Sequence, residues 1–151
     1  MNTRGPASLR IEHAQLHAEL TRATREPGPL GEAAFEVARV LHAHFEKEEQ
    51  YAIPPLELLA KLAWGGATLD MLPVLAICRK LKAELPQMLL EHKDLVAALQ
   101  RFRSRAVDAG REDYARFADT LMLHAQTEEE VLYPAAVLVG ELLEMKLHAH
   151  A

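Results

Sequence analysis

Apolar residues recur along this chain at intervals of three and four, the spacing of helices that bury one face. From Ala7 to about Arg25, Leu9, His13, Leu16 and Leu20 form one stripe, and Glu26-Pro27-Gly28-Pro29 ends it. A second helix runs from Leu30 to about Ala52 with Ala34, Val37, Leu41, His44 and Glu48 on one face, until Ile53-Pro54-Pro55 breaks or kinks the run. The third opens near Pro86, which a first turn tolerates, and places Met88, Leu89, His92, Leu95, Leu99 and Phe102 inward before Gly110 stops it. The fourth spans about Glu112 to Tyr133, with Phe117, Leu121, His124, Glu128 and Val131 as its inner stripe. Four such helices with short or moderate links predict an all-α fold, an up-down four-helix bundle.

Two stretches lie outside that minimum. Residues 55–85 contain Leu56-Glu57-Leu58-Leu59, a Trp64-Gly65-Gly66 turn and an apolar segment from Leu69 to Leu81, which predict two short helices. Residues 135–146 predict another, so each half ends with the same kind of extension. Capping of the open ends of the bundle is the favoured role for them, ahead of a dimer interface. His148 and His150 fall in an Ala-rich end where fraying is expected, and receive no role.

Composition narrows the class. A chain of 151 residues, half of them hydrophobic, reads as one domain with a sizeable core, and with 5% aromatic residues leucine, valine and alanine must fill it. The lone Cys78 excludes an intramolecular disulfide, makes a thiolate metal cluster a poor reading, and fits a buried apolar residue in a reducing compartment. No apolar run reaches signal-peptide length near the amino terminus or the length of a membrane span. The expectation is therefore a cytoplasmic monomer or homodimer without a membrane partner. With a net charge of −5 and scattered basic residues, nucleic acid is not an expected partner, and Arg101, Arg103 and Arg105 read as a solvated helix face.

The chemistry lies in a histidine and glutamate pattern that occurs twice. Glu12-His13 is followed 31 residues after the histidine by His44, with Glu48-Glu49 next and Pro54 ten residues past His44. Glu91-His92 is followed 32 residues after its histidine by His124, with Glu128-Glu129 next and Pro134 again ten residues on. On a helix, His44 and Glu48, like His124 and Glu128, share a face about 6 Å apart in rise, so both can reach one metal cluster. Glu49 and Glu129 point about 140° from their histidines on a regular helix and rank second as ligands. Four imidazoles and two carboxylates suit iron, manganese or zinc better than calcium or magnesium, with iron first. A single inward histidine is usually a hydrogen-bonded core residue. Here His13, His44, Glu48, His92, His124 and Glu128 all occupy inward stripes, and burying so many ionisable groups unpaired would cost several kcal/mol each.

These residues resemble the hemerythrin-like domain of the HHE cation-binding type. The resemblance covers residues from about 8 to 135, and its most specific pieces are His44-Phe45-x-x-Glu48-Glu49 through Pro54 and His124-x-x-x-Glu128-Glu129 through Leu132-Tyr133-Pro134. It implies two non-haem irons with an oxo or hydroxo bridge, His13 and His44 on one, His92 and His124 on the other, and Glu48 and Glu128 bridging. Manganese or zinc could substitute. An unfilled coordination position would admit dioxygen, peroxide or nitric oxide.

One position departs from the oxygen-carrying members, which have a fifth histidine one turn before the third-helix ligand, where this chain has Met88. His17 does not replace it, because it lies one turn after His13, and reads as a neighbouring or partly exposed histidine. Fewer nitrogen ligands leave more room for solvent, which weakens reversible oxygen carriage. Binding of, or reaction with, a small oxidant leads, with peroxidase-like or catalase-like activity as one form of it; iron or oxygen sensing and storage through a partner and reversible oxygen carriage are the alternatives, and a metal-free structural bundle comes last. No Gly-rich phosphate loop and no convincing serine or cysteine nucleophile accompanies the pattern.

Overall fold

The computed structural model describes residues 4–148, and among these every regular element is helical. Six α-helices are formed: α1 (Ala7–Ala23), α2 (Gly28–Lys47), α3 (Leu59–Trp64), α4 (Leu72–Asp108), α5 (Glu112–Thr127) and α6 (Tyr133–His148). The links include 3-10 turns at Pro54–Leu58 and Leu69–Met71 and π turns at Glu48–Ala52 and Glu128–Leu132. The bundle consists of α1, α2, the C-terminal half of α4, and α5. His150 lies outside the described residues.

The predicted stripes become its core. Leu16 and Leu20 of α1, Leu41 of α2, Leu95, Leu99 and Phe102 of α4, and Phe117 and Leu121 of α5 form one buried cluster. Each such side chain contributes about 1.5–3 kcal/mol when fully buried. At the far end of the bundle, Arg111 Nη1 and the Tyr114 hydroxyl both donate to Glu26 Oε1, at 2.9 and 3.2 Å, tying the α4–α5 turn to the α1–α2 turn. The α1–α2 turn requires Gly31, where a Cβ would stand 1.8 Å from the Glu26 carbonyl oxygen.

Three expectations are corrected. The third bundle helix does not open at Pro86: α4 runs unbroken for 37 residues, about 55 Å, with Pro86 inside it. Proline removes one backbone bond there, but Val74, Cys78 and Leu81 before it are buried, the first two against Val139, Leu143 and Leu147 of α6. That packing carries the helix through the break, so the apolar segment Leu69–Leu81, expected as a separate short helix, is largely the first half of α4. Leu89 is 38% exposed instead of inward, because adjacent helical residues are about 100° apart and Met88 takes the buried direction.

The third correction is in register. Neither half is a plain α-helix past its glutamate: Ile53 N–H donates to the Glu48 carbonyl and Tyr133 N–H to the Glu128 carbonyl, the i to i+5 bonds of a π turn. A π turn brings residue i+5 back over residue i. Val131, expected inward, is therefore 55% exposed, while Tyr133 is 2% exposed. Pro134 falls in the first turn of α6, where it is tolerated, and the chain continues as a helix longer than the predicted one. The extensions pack on one another, with Leu58, Met71, Val74, Val139 and Leu143 in one cluster. The side chains of Arg101, Arg103 and Arg105 are exposed, and Arg103 pairs with Asp119 at 2.8 Å. No helix among the described residues is long and apolar enough to cross a membrane.

Candidate metal centre

His13 projects from α1, His44 from α2, His92 from α4 and His124 from α5, while Glu48 and Glu128 open the two π turns. All six are buried, and they are the buried histidines and carboxylates among the described residues. The structure thus brings together every residue that the spacing singled out first.

The donors fall into two overlapping groups, His13, His124, Glu48 and Glu128 in one, and His44, His92, Glu48 and Glu128 in the other. Each carboxylate divides its oxygens between them. Glu48 Oε1 lies 2.7 Å from His44 Nε2 and its Oε2 lies 3.6 Å from His13 Nε2. Glu128 Oε1 lies 3.4 Å from His92 Nε2, and its Oε2 lies 3.5 Å from His124 Nε2. The histidines therefore pair across the two halves of the chain, His13 with His124 and His44 with His92, not within each half as the resemblance implied. Helices adjacent in sequence do place His13 and His44 on neighbouring elements, but each side chain reaches toward the opposite half.

The other ring nitrogen of three histidines meets a carboxylate. His44 Nδ1 is 3.0 Å from Glu91 Oε1, His92 Nδ1 is 2.9 Å from Glu129 Oε1, and His124 Nδ1 contacts Glu12. Glu129, a second-ranked ligand candidate, thus stands outside the donor cluster and orients His92. Glu49 also lies outside both groups. Glu91 is held in turn by Lys47 Nζ at 2.7 Å. A carboxylate accepting from Nδ1–H keeps the proton there and leaves the Nε2 lone pair facing inward. His44 Nε2 and His92 Nε2 nevertheless stand only 2.7 Å apart. Two ring nitrogens at that separation need a shared proton or a cation between them.

Electrostatics report the same tension. Burial holds the pKa of His92 below the usual histidine range, reinforced by the neighbouring His44, and burial also lowers His124. Burial acts downward on His44 as well, but Glu48 and Glu91 outweigh it and leave its pKa raised. Several buried atoms have no hydrogen-bond partner: both oxygens of Glu48, despite the short approach to His44, together with His124 Nε2 and His13 Nδ1. An orphaned buried carboxylate costs several kcal/mol, and a bound cation relieves that cost. The residues present fit a mixed nitrogen and oxygen metal site.

Sequence reasoning missed Tyr133 as a member of the site. Its hydroxyl lies 3.1 Å from both His44 Nε2 and His92 Nε2. Burial raises its pKa strongly, and the carboxylates of Glu48, Glu129 and Glu91 add to this. The only signal was its place in the Leu132-Tyr133-Pro134 piece, since regular helical spacing from Glu128 points it away. Met88 is fully buried in the cluster that contains Tyr133, Leu81 and Ala136.

A cleft of about 700 Å³ lies over His13, bounded by Arg10, His17, His42, Phe45 and Glu49. His17 lines this cleft and belongs to neither donor group. The equivalent place over His92 is smaller, about 460 Å³, and is bounded by Lys93, Met122 and Glu129. Cys78 is buried between α4 and α6, and burial pushes its thiol up to about 11.

Among known proteins, the family model described as the hemerythrin HHE cation binding domain matches residues 5–136. No curated protein and no solved structure matches the chain.

Proposed function

This chain belongs to the hemerythrin HHE cation-binding family, and on that premise we propose that it holds two iron ions and uses them to reduce a small oxidant. His44, His92, Glu48 and Glu128 would hold one ion, His13, His124, Glu48 and Glu128 the other, with both glutamates bridging. The observation that carries this reading is the convergence of His44 Nε2 and His92 Nε2 to 2.7 Å while their Nδ1 atoms are occupied by carboxylates. Iron bound there would supply electrons to dioxygen, peroxide or nitric oxide, two ions sharing what one could not provide alone.

The chain's own contribution is positioning and access. Glu91, Glu129 and Glu12 fix the tautomer and direction of three imidazoles. His13 stacks on Phe45 with ring centroids 4.6 Å apart, so its plane is set by packing. His13 lines the larger cleft, which would bring a small molecule to that side of the donor set. At Met88, where the oxygen-carrying members have a fifth histidine, this chain has an apolar side chain with no exposed surface. A site with fewer nitrogen ligands favours turnover over reversible carriage.

Elemental analysis after anaerobic iron loading tests the binding reading, and repeated additions of peroxide to the loaded protein test the reaction. Near two equivalents of iron, peroxide consumed over successive additions, and loss of both in a His44→Ala/His124→Ala variant are expected. Undiminished iron in that variant overturns the ligand assignment, and iron-loaded protein that leaves peroxide untouched and releases dioxygen intact under vacuum overturns the oxidant reading.

A further inference from the structure

The two halves of the centre are related by a chain offset of 79 or 80 residues, which matches His13 with His92, His44 with His124, Glu48 with Glu128 and Glu49 with Glu129. The match extends to the backbone, since Ile53 and Tyr133 close the same π-turn bond to their glutamates. It breaks at their side chains. Where the second half turns a phenol inward, the first half has the hydrocarbon of Ile53, which is buried and offers no donor atom. Only one of the two donor groups therefore has a fifth donor, a phenol oxygen, beside it.

That oxygen is placed as a ligand would be. Tyr133 Oη, His44 Nε2 and His92 Nε2 form a triangle with sides of 3.1, 3.1 and 2.7 Å. Donors about 2.1 Å from one ion and at right angles to each other stand about 3 Å apart. The triangle is also short of hydrogens. The phenol carries one hydrogen and faces two ring nitrogens at once, each on a histidine whose Nδ1 is directed to a carboxylate, Glu91 or Glu129. A hydroxyl can satisfy one of these contacts and leaves the others unsatisfied.

We propose that Tyr133 is a direct ligand, through Oη, of the metal ion held by His44 and His92. The inference rests on the proposal that this centre binds iron. As the oxygen binds, its O–H bond is replaced by an oxygen–metal bond and the proton passes to solvent, a release that accompanies metal binding generally. The centre would then be unequal: the donor group of His44 and His92 gains a phenolate, while the group that contains His13, which lines the larger cleft, has none.

Resonance Raman and visible absorption of the ferric-loaded protein test this, with iron content measured on the same samples. A ferric phenolate is coloured and shows ring vibrations that shift when tyrosine is supplied ring-deuterated. Wild type is expected to show both signatures with near two irons, and Tyr133→Phe to lose them while keeping its iron. Two irons without phenolate vibrations in the wild type overturns this inference alone. Phenolate vibrations that persist in Tyr133→Phe also overturn it, since Tyr51 or Tyr114 would then be their source. Failure to bind iron overturns both this inference and the reading beneath it. The wild-type spectrum decides the matter even if the variant does not fold.

Discussion

Glu91 directly precedes His92 in the chain, yet its carboxylate is bonded to His44 on another helix, 3.0 Å away. Adjacent residues on a helix point about 100° apart, so the carboxylate of one lies beside the neighbouring helix while the imidazole of the next points to the axis of the bundle. Glu12 makes the same crossing from α1 to His124 on α5. Each half of the chain thus supplies the group that orients a histidine of the other.

Replacing that group should weaken metal binding without dismantling the bundle. Glu91→Gln is expected to lower iron affinity about tenfold to a hundredfold, the usual cost of losing such an orienting carboxylate. Chelator competition measures it, and an unchanged affinity would show that the contact does not hold His44 in place.

The pairing of histidines has its own signature in double variants. His44→Ala with His92→Ala strips one donor group and should leave near half of the iron, bound by His13 and His124. His13→Ala with His44→Ala damages both groups and should leave almost none. The reverse ranking would restore the pairing within each half.

The metal-free protein should lose stability as the solution is made acidic. Burial lowers His92 and His124 below their unfolded values, so below a pH of about 6.5 the unfolded chain takes up protons that the native state refuses. His44 acts with the opposite sign: raised in the folded state, its contribution is intact below its unfolded pKa and fades as pH rises through its folded one. Two lowered histidines stand against one raised, so the expected net trend is a loss of stability on acidification. Melting of chelator-treated protein from pH 7 to 5 should show a falling transition temperature; a flat or rising trend would contradict the sign.

At Gly140 α6 lies close against α4, since a Cβ there would stand 2.5 Å from Cys78 Cβ. Gly140→Val is expected to cost about 1–3 kcal/mol through overpacking. Denaturant melts should show the loss with iron stoichiometry unchanged, because the contact lies outside the donor groups. A variant as stable as wild type would mean that the two helices can part without penalty.

Cys78 should be inert while the chain is folded. Its thiol is buried and pushed up to about 11, so little thiolate exists near neutrality. Alkylation at pH 8 should be slow in buffer and rapid in denaturant. Equal rates in both would show that the α4–α6 contact opens readily.

Spacing along the chain accounts for the local part of this architecture. The periods of apolar residues placed α1, α2, α5 and the second half of α4, and the same period showed His13, His44, His92, His124, Glu48 and Glu128 facing inward, because direction on a regular helix follows from spacing alone. The resemblance to the hemerythrin-like family is carried by those same residues, and the family match over residues 5–136 agrees with it. The assembled helices set the rest. Packing on α6 carries α4 through Pro86, against the local preference of proline. The π turns at Glu48 and Glu128 change the register, turning Tyr133 in and Val131 out, where a regular period predicts the opposite. The pairing of His44 with His92, and the reach of Glu91 and Glu12 to the other half, depend on how helices are rotated against one another. Spacing along a single chain carries no information about that rotation.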